Sequence, residues 1–205
     1  ATAVVVAVSA TPGLTASVLL RRAHGACLRA KVHGRGRVTV DSQPHHAPAS
    51  PGGALAELHQ ALGGSGLALA WQPIAGAEAD TRARARFEVF ARLPTRDGRV
   101  LAAEAFMALA REAGMDGAVD RAVVRQVAQL LGSGERVRQV GQCHLNLGAA
   151  SLADPRFPEF FTDTLARAGV PPQTLCLELR EADVLAAPAQ AARLVRALHE
   201  AGAGV

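Results

Sequence analysis

The sequence predicts an α/β fold, most of it a partial (β/α)8 TIM-type barrel preceded by a smaller α/β segment. Three observations carry this reading. Four strand-like apolar runs recur along the second half: Trp71-Gln72-Pro73-Ile74, Phe87-Glu88-Val89-Phe90-Ala91-Arg92, His144-Leu145-Asn146-Leu147 and Leu175-Cys176-Leu177-Glu178-Leu179. Helical periodicity stands between them, as in a chain of β/α units. A stretch over 42–53, with three prolines and no periodicity, reads as a linker. The domain boundaries are therefore 1–41, the linker over 42–53, and 54–205.

The elements follow in order. Residues 4–9 are Val-rich and continuous rather than alternating, a core strand. Thr15 caps an amphipathic helix over 16–31 that Gly34 closes, and 37–40 form a second strand. His45 and His46 sit in the linker with no third ligand nearby, so they read as solvated residues. A short helix over 54–63 leads into strands over 67–74 and 86–93, the latter ending in a turn at Thr95-Arg96-Asp97-Gly98. Helices are expected over 102–113 and 117–132, a strand over 142–147 and a helix over 158–168 that Pro171-Pro172 stops. A strand over 174–179 and a helix over 187–202, closed by Gly202, complete the series.

Composition narrows the function. Of 205 residues, 49% are hydrophobic and 20% charged, which suits a packed core and argues against disorder. The net charge is +4 without basic blocks, and aromatics are only 3%. That is a poor platform for a nucleic-acid polymer, so a small phosphorylated ligand fits better. Cys27, Cys143 and Cys176 contain no CxxC pair and read as free thiols, Cys143 and Cys176 as buried ones, which favours the cytoplasm. The apolar run at 3–8 is too short to span a bilayer and lacks a basic region before it. The chain opens without Met and stops at Gly204-Val205, so both ends read as cut.

The polar residues inside the strands are the candidate site. Alternation places Glu88, Phe90 and Arg92 on one face of their strand. A carboxylate and a guanidinium there are costly unless paired or liganded. They form either a mutual ion pair at the barrel rim, or a metal ligand (Glu88) and a phosphate contact (Arg92). Asn146 lies between two leucines, so its amide caps a neighbouring loop or its carbonyl ligates a metal. Glu178 is flanked in the same way. A carboxylate, an amide and a second carboxylate supply hard oxygen ligands for a divalent ion.

These motifs resemble the EAL family, whose members bind or hydrolyse the second messenger cyclic di-GMP. The family's opening "QPI" resembles Gln72-Pro73-Ile74, and its Glu-Ala-Leu with a following Arg resembles Glu88-Val89-Phe90 and Arg92. Its "NLS" segment resembles Asn146-Leu147-Gly148, its "LEITES" strand resembles 177–182, and its "FIxLAExxG" helix resembles 106–114. The resemblance covers roughly 67–205. It implies Glu88, Asn146 and Glu178 as ligands of Mg²⁺ or Mn²⁺, with Gln72 and Arg92 contacting cyclic di-GMP. Glu181 is a lesser candidate just past its strand. The implied reaction is two-metal hydrolysis of one phosphodiester to pGpG. The family's aspartates, Lys and later Glu are expected beyond Val205, so the catalytic residues are unknown and the chain as written is expected not to hydrolyse. Val89 and Phe90 depart from the signature, a divergence that also occurs in inactive receptors of the FimX and LapD type. A homodimer through the EAL domain and, for a receptor, a regulated protein partner are further implications. Ahead of the linker, Ala30-Lys31-Val32-His33-Gly34-Arg35-Gly36-Arg37-Val38 resembles the C-terminal end of a degenerate GGDEF domain, with Gly36, Leu28 and His24 departing from its pattern.

Overall fold

The computed structural model describes residues 51–74, 85–132 and 140–205. The strands and helix expected over 1–41, the GGDEF-like segment, the linker as far as residue 50, and His45 and His46 all lie outside the described residues. The linker's last three residues are instead helical. α1 runs Pro51–Gln60, three residues earlier than expected, because a helix's first turn tolerates proline, whose missing N–H has no intrahelical role there. A wide turn over Ala61–Ser65 follows, closed by the Gly66 N–H donating to the Ala61 carbonyl at 2.9 Å.

One mixed sheet organises the rest. β1 (Ala68–Ile74) pairs with β2 (Ala85–Pro94). β2 pairs with β4 (Val140–Leu147), and β4 with β5 (Leu175–Leu179). The last two pairings are parallel, as repeating β/α units require. β1 and β2 are antiparallel, with Gln72 opposite Glu88. Here the structure departs from the expected uniform repeat, for a geometric reason. A parallel crossover takes a dozen or more residues, whereas the ten residues over 75–84 suffice to join antiparallel neighbours. A short strand, β3 (Val100–Ala102), was not expected. Arg92 pairs with Ala68 on one side and with Ala102 on the other, so β3 takes the edge of β2 that β4 leaves beyond Val89. The expected turn brings it there, with the Gly98 N–H donating to Thr95 O at 3.0 Å.

Helices cover one face of this sheet. α2 (Ala103–Glu112) and α3 (Asp116–Leu131) connect β3 to β4, while α4 (Ala149–Ala153) and α5 (Phe157–Ala168) connect β4 to β5. α6 (Glu181–Ala186) and α7 (Pro188–Glu200) follow β5. α4 and α6 are additions to the expected list, each too short to show a helical period. The alternation along β4 sets the layering: Cys143, Leu145 and Leu147 are buried, while Gln142, His144 and Asn146 lie on the opposite face. Val89, Leu93, Leu175 and Leu177 join the buried set, and Phe106, Phe157 and Phe161 fill the layer beneath the helices. Each such side chain contributes about 1.5–3 kcal/mol by leaving water.

Candidate functional site

The opposite face of the sheet is polar, and register decides which of its side chains meet. Residues paired across neighbouring strands share a face. Gln72 therefore sits beside Glu88, Glu88 beside His144, His144 beside Cys176, and Asn146 beside Glu178. Four adjacent strands thus present Gln72, Glu88, Asn146 and Glu178 on one face as a staggered row, with neighbouring strands about 4.8 Å apart. Asn146 and Glu178 stand two residues further along their strands than the register line of Gln72, Glu88, His144 and Cys176.

The row is knitted by hydrogen bonds. The Asn146 side-chain amide donates from Nδ2 to Glu88 Oε1 at 2.7 Å. The His144 ring nitrogen Nδ1 lies 2.9 Å from Glu178 Oε1. An ionised carboxylate only accepts, so that nitrogen carries the proton and donates. His144 Nε2 is buried without a hydrogen-bond partner among the described residues. The reading of Asn146 as a loop cap is not borne out: its amide goes to Glu88.

Arg92 stands apart from this row. Four residues along a strand is about 13 Å, so Glu88 and Arg92 share a face without meeting. Arg92 Nη1 instead donates to the Ala91 carbonyl at 3.0 Å, and its guanidinium lies 5.6 Å from the Phe90 ring centroid. The mutual ion pair weighed for these two is not formed. Glu181 opens α6 as an exposed residue. Cys176 is half-buried on the polar face rather than in the core, so its thiol does not match the buried cysteine expected there. Burial first, and the neighbouring Glu178 second, push its pKa up. Cys143, on the helix side, is fully buried, and burial pushes its thiol up to about 12, which leaves it inert.

Sequence reasoning missed a second acidic group below the row. Asp116 and Asp120, one turn apart on α3, are both buried. Asp120 Oδ2 accepts the Gly148 N–H at 2.9 Å, just past the end of β4. Burial pushes the Asp120 pKa up to about 6, and the Ser151 hydroxyl and the Gly148 N–H restrain that rise. The available signal was two aspartates four residues apart among alanines and valines, a spacing that puts both on one helix face.

The donor set suits a hard divalent ion, since Glu88, Asn146 and Glu178 offer oxygens from three adjacent strands. Both carboxylates are, however, engaged by N–H donors. Among the described residues no group of three or more His, Cys, Asp and Glu side chains converges to hold a metal. Each of these bonds takes one carboxylate oxygen, Oε1, and a carboxylate has a second oxygen with which to ligate a cation.

Three comparisons extend this geometry. The family model described as the EAL domain matches residues 55–205. Cyclic di-GMP phosphodiesterase PdeB of Shewanella oneidensis is 27% identical over 201 residues, covering 96% of this chain and 23% of its own. The FimX EAL domain from Pseudomonas aeruginosa, solved bound to c-di-GMP, superposes with a TM-score of 0.65 at 28% identity. That match covers 72% of this chain and 58% of that one. The Xanthomonas citri FimX EAL domain in complex with c-diGMP gives 0.63 at 26% identity, over 75% and 58% of the two chains. The chain spans about a fifth of the length of the curated relatives it matches, 19–23%. No described helix is long and apolar enough to cross a membrane.

Proposed function

The chain belongs to the EAL domain family, and from that premise we propose that it binds cyclic di-GMP on the polar face of its sheet and, with divalent metal, takes part in hydrolysing it to pGpG. The observation that carries this is the row of Gln72, Glu88, Asn146 and Glu178 on four adjacent strands. Gln72 and Arg92 contact the dinucleotide, Arg92 through a guanidinium that no carboxylate among the described residues occupies. Glu88, Asn146 and Glu178 would hold Mg²⁺ or Mn²⁺, which when bound neutralises phosphate charge and lowers the pKa of a coordinated water. The likeness to two FimX domains solved with the dinucleotide supports the ligand, and PdeB supports the reaction. The cytoplasm is the compartment of this reading, in keeping with the free thiols Cys143 and Cys176. A homodimer through this domain is part of the same proposal, and sedimentation with and without the dinucleotide tests it.

A second reading, a receptor that binds without cleaving and regulates a protein partner, is favoured by one observation. Asn146 and His144 each engage one oxygen of the two carboxylates that a cation would use. The experiment is calorimetric titration with cyclic di-GMP in Mg²⁺, in Mn²⁺ and in EDTA, with nucleotide analysis for pGpG. Metal-dependent binding with pGpG release supports the phosphodiesterase. Binding indifferent to EDTA, without pGpG, supports the receptor, and no binding in any condition rejects both.

A further inference from the structure

Beneath the row, the buried carboxylate of Asp120 serves a purpose that neither reading uses. Its Oδ2 takes the backbone N–H of Gly148 at 2.9 Å. Gly148 lies two residues after Asn146, at the point where β4 turns into α4, and as the N-cap of that helix it has no side chain of its own with which to cap it. The backbone that carries Asn146 is therefore held from outside its own strand, by α3. The approach is close. A Cβ at Gly148 would stand 3.2 Å from Asp120 Oδ2 and 3.9 Å from Asp116 Oδ2. Asn146 in turn holds Glu88 by its amide. A chain of contacts thus runs from Asp120 through Gly148 and Asn146 to Glu88.

We propose that Asp120 is a positioning residue for the ligand face, fixing Asn146, and Glu88 through it, by accepting the Gly148 N–H. The proposal rests on the reading that Asn146 and Glu88 serve the ligand. The charged groups around Asp120 are few. Asp116 on α3 adds repulsion, Arg180 just past β5 gives partial relief, and the Ser151 hydroxyl of α4 lies alongside. Arg180 is itself bonded to Asp183, with Nε donating to Oδ2 at 2.8 Å. A buried carboxylate beside a second one is a costly acceptor, and an amide oxygen would take the same N–H without the charge. Positioning and charge can therefore be separated by substitution.

The test compares Asp120→Ala and Asp120→Asn in the natural full-length protein, by cyclic di-GMP calorimetry and by melting at pH 7.5. Asp120→Ala leaves the N–H without its acceptor, and binding is expected to weaken roughly tenfold, the scale of one lost hydrogen bond. Asp120→Asn is expected to restore the dissociation constant to within about threefold while melting no lower than the natural protein. A purely structural role would move melting without moving the affinity of the folded fraction. Wild-type affinity in a folded Asp120→Ala protein overturns the proposal, and so does Asp120→Asn binding as weakly as Asp120→Ala. A second measurement needs no ligand. In NMR spectra, Asp120→Ala should move the Asn146 side-chain amide signals together with the Gly148 backbone amide, whereas Asp120→Asn should leave the Asn146 signals close to their natural positions. A moving Gly148 signal with a stationary Asn146 signal in Asp120→Ala overturns the proposal, and so do Asn146 signals displaced in Asp120→Asn. If the natural protein does not bind the dinucleotide, the functional reading fails and the NMR comparison alone decides the positioning role.

Discussion

Arg92 shows how a strand residue keeps a charge available. Its guanidinium rests on the Phe90 ring and returns one N–H to the backbone, and no carboxylate among the described residues neutralises it. A phosphate arriving there meets a fork already held in place. Arg92→Ala is expected to weaken cyclic di-GMP binding by about 1.5–3 kcal/mol, the range of a charge-assisted hydrogen bond. Calorimetry reads this directly, and an unchanged dissociation constant would make Arg92 a packing residue. Asp120 makes the converse case, a charge held at a cost. Burial raises its folded pKa from 3.8 to about 6. A carboxyl group with a raised folded pKa gives stability that is fully present below the unfolded value and is lost as pH rises through the folded one. The window is therefore roughly pH 4 to 6, and the loss is about 2–3 kcal/mol from a shift of about two units. Unfolding curves between pH 4 and 7.5 should show this slope in the natural protein and a shallower one in Asp120→Asn. Equal slopes would remove Asp120 as the source.

At the scale of single elements, the two faces of β4 divide stability from function. Leu145 is buried against the helices, and its neighbour Asn146 is exposed on the polar side. Leu145→Ala is expected to cost about 2–5 kcal/mol in denaturant melts, as for large core truncations. Asn146→Ala should leave the melt within about 1 kcal/mol and act on ligand affinity instead. Equal melting losses for the two would contradict the layering. This alternation is also what made the strands legible. Each of the four motifs carried apolar residues at period two with a polar residue between them, so all four strands lie within two residues of their expected bounds. Helix ends were legible where glycine marks them. At Gly202 the Ala203 N–H reaches the Leu198 carbonyl and the Gly202 N–H reaches His199, closing α7 with a left-handed residue. Strand direction was not legible, since the pattern of β1 is the same whichever way it runs. β3, α4 and α6, at three, five and six residues, are shorter than the periods that reveal them. Asp116 and Asp120 escaped because acidic residues on a helix are ordinarily exposed, and only packing under Gly148 buries them.

At the scale of the molecule, the asymmetry of the sheet makes ligand and stability one question. Helices cover one face, while the other presents the polar row; on β1 the exposed Ile74 shares that face with Gln72, and Trp71, also exposed, lies on the opposite face beside Val89. On the far side the chain runs back along β5. The Leu177 N–H donates to Gly204 O and the Gly204 N–H to Leu175 O, both at 2.9 Å, as a parallel bridge. β1 and β5 end the strand order of the described sheet, Gly204 covering part of β5, and an outer strand whose backbone groups are open is its weaker part. A dinucleotide lying across four strands would tie those outer strands to β2 and β4, so its binding energy adds to cohesion of the whole sheet. At a free concentration one hundred times its dissociation constant, a ligand that binds only the folded form adds about 2.7 kcal/mol. For a domain of this size that corresponds to a melting point raised by roughly 5–10 °C. Scanning calorimetry with cyclic di-GMP, in Mn²⁺ and again in EDTA, checks the size of the shift and its origin. A shift that survives EDTA places the binding energy in Gln72, Arg92 and the backbone, as a receptor requires. A shift that disappears places it in Glu88, Asn146 and Glu178 acting through the metal. No shift in either condition means that the polar face holds no dinucleotide, and the row across the strands would need another ligand.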